Sequence, residues 1–154
     1  MAVEVGDPAP DFTLPDQNNQ AVSLAQFKGE KNVLVVFYPL AFSGVCSGEL
    51  RAIRDDLPRF QNEAVQTLTI SVDSFFAHRV WADQQGFGFP LLADFWPHGA
   101  VAQSYGVFDE RKGTARRGTF LVDPEGVVRW KVVTELGVAR SADEYVDALA
   151  ALGS

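Results

Sequence analysis

Apolar positions along this chain follow two periods that alternate. Residues 32–38 read NVLVVFY, a β-branched and aromatic run without polar alternation, which predicts a strand buried on both faces and central in a sheet. After Cys46 the spacing changes to three and four. Leu50, Ile53, Leu57 and Phe60 share one helical face with Arg51, Arg54 and Asp55 opposite, and Pro58 kinks or stops that helix near its end. Gln66 to Val72 reads as a second strand, and Ser74 caps a second helix carrying Phe76, Val80 and Trp81.

Shorter signals flank this strand–helix–strand–helix core. Strands at Phe12 to Leu14 and Ala21 to Ser23 surround the polar turn PDQNNQ. Thr119 to Val122 and Val127 to Val133 flank Asp123-Pro124-Glu125-Gly126, where proline suits the second turn position and glycine supplies positive φ, so an antiparallel hairpin is expected. Ser141-Ala142-Asp143-Glu144 reads as a capping box opening a last helix with Tyr145, Ala148, Leu149 and Leu152 on one face. The order predicts an α/β fold, a central mixed β-sheet flanked by helices, for which a thioredoxin-like βαβ plus ββα arrangement is the simplest candidate.

Composition narrows the partners. At 154 residues, 47% hydrophobic and 21% charged, the chain has the size of one domain spanning residues 1–154. Twenty acidic against thirteen basic residues give a net charge of -7, and no Lys/Arg cluster is long enough to track phosphates, so nucleic acid is not an expected partner. The opening MAVEVGDPAPDF has neither the basic region nor the apolar stretch of a secretory signal. The longest apolar run, Val33 to Phe42, is interrupted by Pro39 and too short for a bilayer; a cytoplasmic protein without membrane association is expected.

The one cysteine, Cys46, cannot form an internal disulfide, so any disulfide must be made with another molecule. It follows the central strand within PLAFSGVC, which places it in the first turn of the helix, where free N–H groups and the helix dipole favour a thiolate. A lone cysteine can equally be a small buried hydrophobe. Ser43 can cap the helix, donate to sulfur or orient an oxygen-containing substrate. Pro39 can end the strand or shield the sulfur from water.

Pro39, Ser43 and Cys46 match the Pro-x-x-x-Thr/Ser-x-x-Cys signature of the peroxiredoxins, and Glu49 matches the acid three residues beyond their reactive cysteine. VGDPAPDFTLPD, DFWPHGAVAQSYGV and RRGTFLVDPEGVVR resemble further segments of that family, so the likeness covers most of the chain. Within it the sequence resembles the actinobacterial one-cysteine alkyl hydroperoxide reductase E group. Serine stands at 43 where many relatives have threonine, keeping the hydroxyl and losing a methyl group. Arg116 and Arg117 point to opposite faces if they lie on a strand, and by sequence alone either can reach a site. The resemblance selects Arg117 and gives Glu49 the task of holding arginines around the pocket.

What the resemblance implies is a thiol peroxidase in which Cys46 attacks a hydroperoxide and becomes a sulfenic acid. An external thiol or redoxin must then regenerate it; the resemblance implies mycothiol and mycoredoxin, and also a homodimer. No metal or organic cofactor is expected. His78 and His98 lie far apart without cysteine or carboxylate at ligand spacing, and Gly86 and Gly88 do not open a helix after a strand. Phe37, Tyr38, Phe42 and Trp96 form either an apolar collar for organic peroxides or ordinary core, and Trp81 and Trp96 read as core or interface aromatics. The rival reading is a non-enzymatic peroxide sensor or thiol-switch binding module, in which oxidation of Cys46 changes a partner surface without turnover.

Overall fold

A computed structural model describes residues 2–152. The chain opens with a small antiparallel pair, β1 (Thr13–Pro15) and β2 (Ala21–Ser23), and a 3-10 turn, Leu24–Phe27. The central strand β3 (Asn32–Phe37) leads to α1 (Gly44–Asp55) and a short turn of helix, α2 (Leu57–Phe60). β4 (Val65–Ser71), α3 (Phe75–Gln85), β5 (Leu91–Ala93) and α4 (Ala100–Ser104) follow. A two-residue pair, β6 (Phe108–Asp109) and β7 (Thr114–Ala115), precedes the hairpin β8 (Arg117–Val122) and β9 (Val128–Thr134), and α5 (Ala142–Ala151) ends the described chain. The five-stranded sheet has the order β5-β4-β3-β8-β9, with β3 parallel to β4 and antiparallel to β8. This is the mixed, helix-flanked thioredoxin-like sheet expected from the sequence.

All six residues of β3 are buried, as an uninterrupted apolar run requires. Val33, Val35 and Phe37 pack into a core with Phe12, Leu14, Tyr105 and Phe120. Leu34, Val36 and Tyr38 face the other core, formed with Leu50 and Ile53 of α1, Trp81 of α3 and Leu149 of α5. Cys46 belongs to this second core.

The helix after Cys46 is interrupted near Pro58 as expected: α1 ends at Asp55, and Pro58, without an N–H to continue the ladder, sits in the first turn of α2. Other expectations are corrected in detail. Ser74 caps α3 by accepting from Ala77 N at 3.2 Å, yet the buried residues of α3 are His78, Trp81 and Ala82. Phe76 and Val80 are four apart on another face and are 69% and 51% exposed. Ser141 caps α5 through Asp143 N, not through a box with Glu144. Tyr38 lies just beyond β3 but still donates its N–H to Ile70 O. Among the described residues, no helix is long and apolar enough to cross a membrane.

Candidate active site

The catalytic candidates sit where β3 gives way to α1. Half-buried Pro39 starts the turn. Ala41 N–H donates to Asp73 Oδ2 at 2.8 Å, and Ser43 Oγ donates to Leu40 O at 2.9 Å. Between them Phe42 adopts φ 68°, the left-handed region, which for a bulky residue costs on the order of 1–3 kcal/mol and persists only where surrounding contacts fix it. Its ring packs on Trp81 at 5.9 Å between centroids. Ser43 stands at the helix N-cap in backbone terms: its carbonyl accepts the first helical bond from Ser47 N, but its hydroxyl makes no cap and no bond to sulfur.

Cys46 is the third residue of α1 and has no solvent exposure. One turn on, at the i+3 position of the same face, lies Glu49. Arg117 opens β8 and reaches across: Nη1 is 3.1 Å from Cys46 Sγ and 2.6 Å from Glu49 Oε1, while Nε donates to Leu136 O at 2.6 Å. Arg116, its neighbour, lies between β7 and β8 and is exposed. Gly118 follows because a Cβ there would come within 2.8 Å of Val107 Cγ1, so only glycine lets β8 lie this close.

Arg140, just before α5, is the residue that sequence reasoning missed. It donates from N and Nε to Glu49 Oε2 at 2.7 and 2.8 Å and from Nη2 to Oε1 at 2.8 Å. Its Nη1 donates to Thr119 Oγ1, which is itself bonded to Tyr145 OH. Arg140 lies in an unpatterned loop, so periodicity carries no sign of it. The available signal was electrostatic: a buried Glu49 shared with an arginine directed at sulfur calls for a second cation.

Burial alone would raise the Glu49 carboxyl, but the hydrogen bonds and charge of Arg140, with the charge of Arg117, hold it below the usual glutamate range. Arg140 is raised in turn, as Glu49 outweighs its desolvation. A carboxylate bridging two guanidiniums thus fixes Arg117 with one nitrogen against the sulfur.

The proposed apolar collar is not assembled as a unit. Phe37 faces the opposite core, against Tyr105 and Phe120, because it is one residue out of phase with Tyr38. Tyr38 is wholly buried, Phe42 is half exposed, and Trp96 is 81% exposed, which excludes a core role for it in the chain. His78 is buried under the catalytic turn, whereas exposed His98 bonds Gly113 O.

The sequence model of the AhpC/TSA family matches residues 5–131. Alkyl hydroperoxide reductase E of Mycobacterium tuberculosis is 55% identical over 150 residues, covering 97% of this chain and 98% of its own. The chloroplastic 2-Cys peroxiredoxin BAS1 of Spinacia oleracea is 37% identical over 158 residues, covering 96% of this chain and 59% of its own. Among solved structures, Enterococcus faecalis AhpC shares the fold with a TM-score of 0.88 at 32% identity, over 99% of this chain and 93% of its own. With a lone thiol at the helix start and relatives aligned along almost the whole chain, this protein belongs to the AhpC/TSA family of peroxiredoxins and is a thiol peroxidase.

Proposed function

We propose that Cys46 is the peroxidatic nucleophile of a one-cysteine cycle that reduces hydrogen peroxide and organic hydroperoxides. The observation carrying this reading is the 3.1 Å approach of Arg117 Nη1 to Sγ inside a buried cluster of two guanidiniums and one carboxylate. Around a neutral thiol that cluster holds one surplus positive charge; an ionised sulfur balances it.

In the reaction, a sulfur electron pair forms the bond to one peroxide oxygen as the O–O bond breaks. The departing oxygen takes a proton and leaves as ROH, and sulfur, oxidised by two electrons, is left as sulfenic acid. A free thiol with ordinary acidity is only about 3% ionised at neutral pH, so complete ionisation gains roughly thirtyfold, or about 2 kcal/mol. Accelerations of a millionfold or more therefore need stabilisation of charge on the departing oxygen. Arg117 and the N–H groups opening α1 take that role, joined by the Ser43 hydroxyl once it turns from Leu40 O to the peroxide, Pro39 excludes water, and Glu49 with Arg140 holds Arg117 in place.

A first external thiol attacks the sulfenic sulfur, releasing water and forming a mixed disulfide, and a second thiol displaces Cys46 from it. The resemblance makes mycothiol, with mycoredoxin or another redoxin, the reductant. The protein acts in antioxidant defence as one domain over residues 1–154, in the cytoplasm, and as a homodimer, a state favoured by the exposed Phe42, Phe76, Val80 and Trp96.

Stopped-flow tryptophan fluorescence of the reduced protein, mixed with hydrogen peroxide or an organic hydroperoxide, tests this reading, with oxidation verified by mass. Fast second-order oxidation that needs Cys46 and slows strongly in Arg117→Ala supports it. Oxidation no faster than that of a free thiol overturns it.

A further inference from the structure

The catalytic turn has a second buried polar group beneath it, and the chemistry above makes no use of it. Asp73, directly beyond β4, carries a carboxylate with 16% side-chain exposure. Its Oδ2 accepts two hydrogen bonds, from Ala41 N at 2.8 Å and from Ser71 Oγ at 2.6 Å. A carboxylate only accepts, so the Ser71 hydrogen is committed to Asp73, and the 2.7 Å contact between Ser71 Oγ and His78 Nε2 is donated by the imidazole. The same Nε2 lies 3.2 Å from Tyr38 OH, so the imidazole ties the Asp73–Ser71 pair to the buried Tyr38 at the end of β3. Burial holds this imidazole neutral, down to about 4, against the opposing charge of Asp73.

The relay is anchored at both ends on regular structure. Ser71 is the last residue of β4 and His78 lies in the second turn of α3, and both are fully buried. The same helix face offers Trp81, on which the Phe42 ring rests. Phe42 has the left-handed backbone that its bulk disfavours, so the turn needs an external hold on either side. Ala41 N–H to Asp73 provides one, adjacent to Phe42 in the chain, and the ring contact with Trp81 provides the other.

We propose that Asp73 is a positioning residue of the peroxidase reaction: by accepting the Ala41 N–H it latches the turn over residues 39–43, and with it the start of α1, so that Cys46 meets Arg117. Ser71 and His78 keep the carboxylate aimed at that N–H. The inference rests on the peroxidase reading for its effect on rate and on geometry alone for the latch. Displacements of about 1 Å at a reacting centre can lower rates by two orders of magnitude, so a single lost hydrogen bond at the turn has a measurable reach.

Three measurements test it. In the unmodified reduced protein, NMR hydrogen exchange of the Ala41 amide is expected to be slow, and exchange at the rate of a free amide overturns the latch without any variant. Asp73→Ala, shown to be folded by circular dichroism, is expected to be oxidised by hydrogen peroxide at least about tenfold more slowly, while iodoacetamide alkylates the otherwise buried Cys46 at least about threefold faster. Faster alkylation reports an opened turn, and the conservative variant separates a positioning role from general damage. Asp73→Asn keeps an oxygen for Ala41 N–H and is expected to stay within about threefold of the parent in both reactions. Ser71→Ala is expected to follow Asp73→Ala in direction with a smaller change. Oxidation of Asp73→Ala within twofold of the parent, or equal impairment by Ala and Asn, overturns the proposal. If the parent itself does not react rapidly with peroxide, the functional reading fails, while the exchange and alkylation results still decide the latch.

Discussion

Two buried polar clusters flank the turn that carries the thiol, and they manage charge in opposite ways. On the β8 side, Glu49 sits between Arg117 and Arg140, all three almost inaccessible, and Glu49 and Arg140 hold each other ionised. On the β4 side, burial keeps His78 neutral, bonded to Ser71 and Tyr38 and 3.9 Å from the Asp73 carboxylate that Ser71 also meets. Burial raises the cost of charge in both places. Cross-compensation by two guanidiniums overcomes that cost in the first, while in the second the imidazole gives up its proton. The first arrangement suits a site where charge develops during reaction; the second suits one that only fixes geometry.

The largest expected effect comes from breaking the charged cluster at the sulfur. Cys46→Ser abolishes peroxide reduction, and Arg117→Ala lowers the second-order oxidation rate by about 10²–10³-fold, the usual loss on removing a donor aimed at developing charge. Stopped-flow oxidation of the reduced proteins checks both. An Arg117→Ala rate within threefold of the parent would assign the transition-state role elsewhere.

Glu49→Ala comes next, because it strands two buried guanidiniums. Stability is expected to fall by about 3–5 kcal/mol, a drop of roughly 10 °C in Tm for a chain of this size, together with slower oxidation. Thermal unfolding of the reduced protein reads the first effect. A loss below about 1 kcal/mol would mean that Arg140 and Arg117 are hydrated once Glu49 is gone.

Acid separates the two clusters by window. His78 has a folded value of about 4 against about 6.5 unfolded, so the unfolded chain binds a proton that the native protein does not. Stability from this group is complete above about pH 6.5 and declines as pH falls toward 4, by up to about 3 kcal/mol. Glu49 has a lowered folded value, so its contribution is full above the unfolded range near 4.3 and is lost only as pH falls through that lowered value. Of the two clusters, urea unfolding at pH 7 and pH 5 is expected to show the His78 loss without that of Glu49, and His78→Gln to remove most of it.

How much of this was legible depended on whether a residue belongs to a pattern. NVLVVFY announced a doubly buried central strand because burial on both faces leaves no room for polar alternation. The spacing around Cys46 placed it at a helix start, whereas strand alternation could say only that Arg116 and Arg117 face apart, and the choice of Arg117 came from the family resemblance. Arg140 and Asp73 were not legible, since each lies in a loop and acts across 91 and 32 residues of sequence respectively. Phe76, Val80 and Trp81 marked the helix without telling which face turns inward, and α3 buries His78, Trp81 and Ala82. Leu91–Ala93 was too short and too close to Pro90 to stand out, although β4 pairs with it.

The smallest expected effect sharpens the contrast between charge and local backbone. Ser141 caps α5 immediately after Arg140, through a 3.2 Å bond from Asp143 N. Ser141→Ala removes that cap at a cost of about 1 kcal/mol, or roughly 2–4 °C in Tm. Arg140 is held by its own four donors to Glu49 and Thr119 rather than by the helix start. The oxidation rate is therefore expected to stay within twofold of the parent. A drop in rate as large as that of Glu49→Ala would show instead that the beginning of α5 sets the position of Arg140, and through Glu49 that of the arginine at the sulfur.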